Sequence, residues 1–297
     1  MIKVKVPATS ANIGPGFDSL GIAFNLYNTF TFEEIDEGII ISGCQEGFND
    51  EDNLVYLSMI RTLDILGYKL KGIKINIEAD IPISRGLGSS AACIVGGILG
   101  ANRLAGNPLS EDEILKIATE IEGHPDNVCP ALFGGMTLSI MEDGEIIYNH
   151  MQIANGLKFH ALVPDFTLST LEARAVLPQS ISHKDAIYNV SRVALLVSAL
   201  SSGRFELLKY GLQDKLHQIY RGGMIPHYNE VIDICNNCGS IGTFLSGAGP
   251  TIMAITHDKD VDFKKDIGKQ LNLLDNKWTM KELSIDFEGA IALPLFI

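Results

Sequence analysis

The chain has 297 residues, 46% of them apolar and 20% charged, and a net charge of −13. This composition can build a large core and excludes a disordered chain. At about 150 residues per domain the length predicts two domains. So acidic a balance speaks against nucleic acid or an anionic membrane as partner, because both are bound through clustered cations.

The opening MIKVKVPATS alternates as a strand does and does not read as a signal peptide. The longest apolar stretch, 91–101, is too short for a bilayer span and contains glycines. Five cysteines, an odd number, fit free thiols in a reducing compartment, so a cytoplasmic protein is expected. Cys235 and Cys238 form a C-x-x-C with no second pair beside it, and are read as two ordinary thiols.

In chain order, a strand at 2–6 leads into a loop at 7–16, followed by strands at 21–33 and 39–42. Leu54, Leu57, Ile60 and Leu63 recur at helical spacing and Gly67 stops that helix. Ile73, Ile75 and Ile77 alternate as in a half-buried strand. A helix of small residues then runs to Leu104, and Ser110 with Glu113 spells a capping box for the next helix, which ends at Gly123. Strands at 135–141 and 145–150 close the first half. The second half reads as a strand at 158–164, helices at 185–202, 205–217 and 228–236, and strands at 243–245 and 251–256. Strands and helices mix without strict alternation, which predicts an α+β fold. The expected division is 1–155, a nucleotide-binding domain, and 156–297, a substrate-side domain.

Three glycine-rich segments stand out. In Pro82-Ile83-Ser84-Arg85-Gly86-Leu87-Gly88-Ser89-Ser90-Ala91-Ala92 the glycines fall between a strand and a helix. There they let the backbone approach an anion, and first-turn N–H groups and the helix dipole attract it. The segment lacks the lysine of a Walker loop, the downstream acid of a Rossmann fingerprint and the serine elbow of a hydrolase. The others are Pro7-Ala8-Thr9-Ser10-Ala11-Asn12-Ile13-Gly14-Pro15-Gly16-Phe17-Asp18 and Ser246-Gly247-Ala248-Gly249-Pro250-Thr251.

Together these segments resemble the three motifs of the GHMP small-molecule kinases, in the family order and across nearly the whole chain. The resemblance implies an α+β, two-domain GHMP kinase fold. Its N-terminal domain is like ribosomal protein S5 domain 2, with a left-handed βαβ crossover, and its C-terminal domain is a ferredoxin-like α/β sandwich. It further implies ATP as co-substrate, Mg²⁺ and a homodimer. The segments around Asn12 and Asp18, His124-Pro125-Asp126-Asn127, 169–174 and 214–221 resemble the branch whose acceptor is L-homoserine, in threonine biosynthesis.

Carried onto this chain, the family implies residues Pro82 to Ala92 and Asn53 for ATP, with Asn53 equally open as a helix cap. It implies Ser90 and Glu120 for the metal. Glu122 lies about 200° further round the helix, so only one of the two acids can face the ion. For the amino-acid substrate it implies Asn12, Asp18, His124, Asn127, Thr170, Arg174, Arg221 and Gly247. A carboxylate calls for the planar fork of arginine and an ammonium for an acid such as Asp18. Arg174, Arg221 and Asn127 are the expected catalytic residues, acting by positioning and electrostatics, with Asp126 structural and no dedicated base. Two other readings stand beside this one: a kinase of the same family acting on mevalonate, a sugar or a diphosphocytidyl alcohol, and a ligand sensor without catalysis.

Overall fold

A computed structural model describes residues 1–294. Its first sheet has seven strands. β1 (Ile2–Ala11), β2 (Leu20–Glu34), β3 (Gly38–Ser42) and β4 (Gly72–Ala79) lie in the order β1-β2-β4-β3. β5 (Met136–Glu142) pairs with β2 and with β6 (Glu145–Met151). β3 and β4 run parallel, joined through helix α1 (Leu54–Ile65).

Helices α2 (Ser89–Leu104), α3 (Glu111–Glu122) and α4 (Pro125–Phe133) complete this half. Glycines explain how tightly α2 sits. A Cβ at Gly96 would strike the ring of Phe30, one at Gly100 the ring of Phe32, and one at Gly97 the carbonyl of Val55 on α1. Small residues on α2 thus admit the aromatic rings of β2 and the backbone of α1. The capping box of α3 forms as expected, with Ser110 and Glu113 exchanging bonds.

The second sheet holds β7 (Leu157–Pro164), β8 (Gly242–Leu245), β9 (Ile252–His257) and β10 (Trp278–Leu283), in the antiparallel order β10-β7-β9-β8. Around it lie α5 (Thr170–Ala175), α6 (His183–Ser202), α7 (Leu208–Gly211), α8 (Gln218–Arg221), α9 (Tyr228–Asn237) and α10 (Phe263–Leu271). Val231 and Cys235 of α9 and Phe263 and Ile267 of α10 pack with Leu162, Ile252 and Trp278 of the sheet. Cys235 is therefore core, and burial pushes its thiol up to about 12. All five cysteines are free. A last strand, β11 (Ile291–Pro294), returns to the first sheet and pairs with β1.

Three local expectations differ from the structure. The strand expected at 2–6 continues to Ala11, because its partner β2 extends as far, and Pro7 sits at a register shift where the ladder is already interrupted. The helix expected at 205–217 is a 3-10 turn and the single α turn of α7. Beyond it, the Asp214 carboxylate accepts the N–H groups of Leu216, His217 and Gln218 and starts α8 instead. The segment at His124 opens α4, with Pro125 at the first helical position, where a missing N–H costs nothing.

Candidate active site

The three glycine segments converge. The Ser246 hydroxyl lies within hydrogen-bond distance of both Ser10 Oγ and the Gly86 carbonyl, and the Gly247 N–H donates to Ala11. Gly86 and Gly88 adopt φ of 74° and 67°. A Cβ at Gly86 would strike the Ser246 carbonyl and one at Gly88 the Thr9 hydroxyl, so only glycine permits this junction.

Beneath the junction lies a cavity of about 530 Å³. One end is largely apolar, lined by Phe48, Leu54, Ile77 and Ile81. The other end carries Asn12, Asp18, His124, Asn127, Thr170, Arg174, Arg221 and Gly247, all expected substrate residues. Between the ends sits the start of α2. No side chain caps it, and the N–H groups of Ser89, Ser90 and Ala91 have no backbone partner among the described residues. Uncapped first-turn N–H groups at a cavity wall are the donor array a phosphate chain requires.

Within the phosphate loop, the side chains of Leu87, Ala91 and Ala92 face the core and only their backbone can serve the ligand. The Arg85 guanidinium donates to the carbonyls of Ile83, Pro164 and Asp165 at 3.0, 3.0 and 2.9 Å, so it pins the loop to the second sheet. Asn53 caps α1, its Oδ1 accepting from Val55 and Tyr56, and donates to the Phe48 carbonyl at 2.6 Å. Its side chain shapes the apolar end chiefly by holding that loop to the helix.

The sequence points to Glu120 as the acid beside Ser90. The structure brings Glu122 there instead. The Ser90 hydroxyl donates to Glu122 Oε2 at 2.8 Å, and both residues line the cavity. Glu120 pairs with Arg61 outside it, and both side chains are about half exposed (49% and 47%). Burial raises the Glu122 pKa, partly offset by the Ser90 bond and by nearby His124 and Arg174. A half-buried carboxylate and a hydroxyl beside a phosphate cradle suit Mg²⁺, a hard cation that keeps most of its shell for water and phosphate. No cluster of three or more His, Cys, Asp or Glu residues fit for a metal occurs among the described residues.

At the polar end, Arg174 forms a bidentate pair with Asp18, at 3.1 and 2.8 Å. Asn12 accepts the Asp18 N–H and donates to the Gly247 carbonyl, both at 3.0 Å. Thr9 donates to Asn127 Oδ1 at 2.8 Å, leaving the Asn127 amide hydrogens unpartnered among the described residues. Asp126 is buried and lies 2.6 Å from His124 Nδ1. Burial opposes charge on His124, but the bond to Asp126 and the adjacent acids outweigh it and raise the pKa.

Arg221 is only 2% exposed, yet no carboxylate lies within 4 Å of it among the described residues. Its Nε donates to the Ala173 carbonyl and its Nη1 to the Gly247 carbonyl, at 3.1 and 3.0 Å, while Nη2 has no described partner. Burial, then the neighbouring charge of Arg174, lowers its pKa to about 10, so it stays charged at neutral pH. Phe17 lies beside both arginines, its ring centre 5.2 Å from the Arg221 Cζ and 5.7 Å from that of Arg174. Thr9, Phe17 and Phe48 carry no sequence signal of a role at the site. Thr9 and Phe17 sit inside a quoted motif, but nothing in their type or spacing marks them.

Residues 53–135 match the model of the GHMP kinases N terminal domain and residues 196–269 that of the GHMP kinases C terminal. A homoserine kinase of Clostridium botulinum strain Langeland is 55% identical over 98% of each chain. One of Clostridium beijerinckii is 51% identical over the same shares. The crystal structure of homoserine kinase from Cytophaga hutchinsonii superposes with a TM-score of 0.89 at 29% identity, covering 98% of this chain and 97% of that one. The mevalonate kinase of Methanococcus jannaschii shares the fold, with a TM-score of 0.68 at 21% identity over 96% and 98% of the two chains. The chain belongs to the GHMP kinases, and within them to the homoserine kinases.

Proposed function

We propose a division of labour for the reaction of this family, the ATP-dependent phosphorylation of the L-homoserine hydroxyl to O-phospho-L-homoserine in threonine biosynthesis. The observation that carries it is Arg221. A buried cation with no carboxylate within 4 Å among the described residues gains from a ligand that supplies the anion, and Arg221 lines the cavity that holds the uncapped start of α2. The substrate carboxylate fits Arg221 and Arg174, and its ammonium fits Asp18, which Asn12 orients. His124, Asn127 and Thr170 complete the substrate end, with Gly247 as the carbonyl that holds Asn12 and Arg221.

The triphosphate fits the N–H groups of Ser89 to Ala91, with the base towards Phe48 and Ile81. Ser90 and Glu122 would hold Mg²⁺, which would supply charge neutralisation to the donor phosphates. Arg174, Arg221 and Asn127 act by orienting the acceptor hydroxyl in line with the phosphorus and by offsetting charge. Asp126, spent on His124, is a structural group. Catalysis then rests on positioning and preorganised charge.

The partition into 1–155 and 156–297 belongs to the same reading, with β11 lent back to the first sheet. So do a homodimer, which rests on the family resemblance, and a cytoplasmic location, which accords with five unpaired cysteines. No helix of the described residues is long and apolar enough to cross a membrane.

The test is ADP release with Mg-ATP and a panel of L-homoserine, mevalonate, galactose and no acceptor. Turnover with homoserine alone is expected. Turnover with another acceptor would overturn the substrate roles. Nucleotide or homoserine binding without turnover would favour a sensor.

A further inference from the structure

Resting on the reading of Arg221 as the carboxylate anchor, we propose that His217 is the residue that positions it, by accepting a hydrogen bond from Arg221 at Nδ1 while donating from Nε2 to Gly14. His217 is fully buried one helical turn before Arg221. Its Nε2 lies 2.8 Å from the Gly14 carbonyl, and a carbonyl can only accept, so Nε2 carries the proton. Its Nδ1 lies 3.3 Å from Arg221 Nη1, and a guanidinium can only donate, so Nδ1 carries the lone pair. The two ends demand the same tautomer. Burial lowers the imidazole pKa and so favours the ring with a single proton.

The surrounding groups leave no competing arrangement. Asp214 Oδ2, 3.8 Å from Nε2, is taken by the N–H groups of His217 and Gln218. The ring stacks on Phe17, with centroids 5.2 Å apart and planes 27° apart. The imidazole thus ties Arg221 to the turn that carries Phe17 and Asp18. Gly14 has φ of 73°, and a Cβ there would meet the backbone of Leu212, so the accepting carbonyl is itself fixed. The cation and the acid that bracket the substrate are held in register by one ring.

Two half-isosteres separate the bonds. In His217→Asn the amide oxygen sits where Nδ1 was and still accepts from Arg221, while the bond to Gly14 is lost. In His217→Gln the amide nitrogen reaches Gly14 and the acceptor for Arg221 is lost. The expected result is a homoserine KM raised modestly, about threefold, for Asn, which keeps the Arg221 acceptor but loses the Gly14 tether, and raised on the order of tenfold or more for Gln, which loses the acceptor itself. The ATP KM is expected to stay unchanged in both. A Gln variant equal to wild type, or equal rises in both KM values, would overturn the proposal. A wild-type enzyme that does not turn over homoserine would overturn the Arg221 reading beneath it. Should either variant unfold, long-range ¹H–¹⁵N spectra of ¹⁵N-histidine-labelled wild type decide the matter. A proton on Nε2 alone is expected, and a proton on Nδ1 would sink the idea.

Discussion

Arg221→Leu isolates the anchor most cleanly, because leucine fills much of the volume and removes the charge. Truncating one partner of a buried, hydrogen-bonded charge pair costs about 2–5 kcal/mol. That corresponds to a roughly 30-fold to 5,000-fold loss in homoserine affinity at 1.36 kcal/mol per decade. The lower half of that range is expected, because Nε and Nη1 are engaged with the Ala173 and Gly247 carbonyls, which leaves Nη2 and the net charge for the substrate. The variant also strands those two carbonyls, so some stability is lost. The charge it removes has no carboxylate within 4 Å among the described residues, which offsets part of that loss. Steady-state ADP release at saturating ATP gives the homoserine KM, and the converse titration gives the ATP KM. A homoserine KM raised about 10²-fold with an ATP KM within about threefold is expected. Equal rises in both, in a variant that still melts cooperatively, would refute the anchor role.

Four further outcomes are expected. Glu122→Gln should lose most Mg²⁺-supported turnover, whereas Glu120→Gln should lose only an exposed pair, about 0–1 kcal/mol of stability and no activity; the reverse order in a kcat comparison would return the metal role to Glu120. Glu122→Gln should also melt higher than wild type at neutral pH. Its pKa is raised in the folded state, so its contribution is full below the unfolded pKa and lost as pH rises through the folded one, and glutamine does not ionise. Asp126→Asn should cost less than about 10² in kcat, the low end of general-base contributions, and a larger loss in a folded variant would make Asp126 the base. Gly88→Ala should raise the ATP KM by straining the phosphate loop and, in the same steady-state titrations, the homoserine KM as well, since its Cβ would displace the Thr9 hydroxyl that holds Asn127.

The parts of the site written in one stretch of chain were legible in the sequence. The phosphate loop needs glycines before a helix, and the capping box of α3 needs a serine and a glutamate three apart. Local patterns carry both. Glu122 was not separable from Glu120, because helical phase says only that they point apart. Which of them meets Ser90 is decided by the packing of α3 against α2. The break after Gly211 was hidden because Asp214 looks like a helix surface residue until its carboxylate takes three backbone N–H groups. The pairing of Arg174 with Asp18, separated by 156 positions, and the lack of a carboxylate within 4 Å of Arg221 among the described residues are tertiary facts with no local signature.

On the proposed assignment, those two arginines divide the recognition of an amino acid unequally. Asp18 and Arg174 neutralise one another, and a zwitterion can enter between them with no change in net charge, its ammonium taking the acid and its carboxylate the guanidinium. Galactose offers neither charge and mevalonate only the negative one, so either would open the pair without full compensation. Yet both partners are about one-third exposed (35% and 36%), and solvent screens what that mismatch costs. Arg221 is 2% exposed and has no carboxylate within 4 Å among the described residues. The larger share of discrimination against an acceptor without a carboxylate therefore falls on Arg221, and the milder selection for an ammonium on the Asp18–Arg174 pair. Mevalonate, which carries a carboxylate, should accordingly be a better competitor of homoserine than galactose, and a weak one.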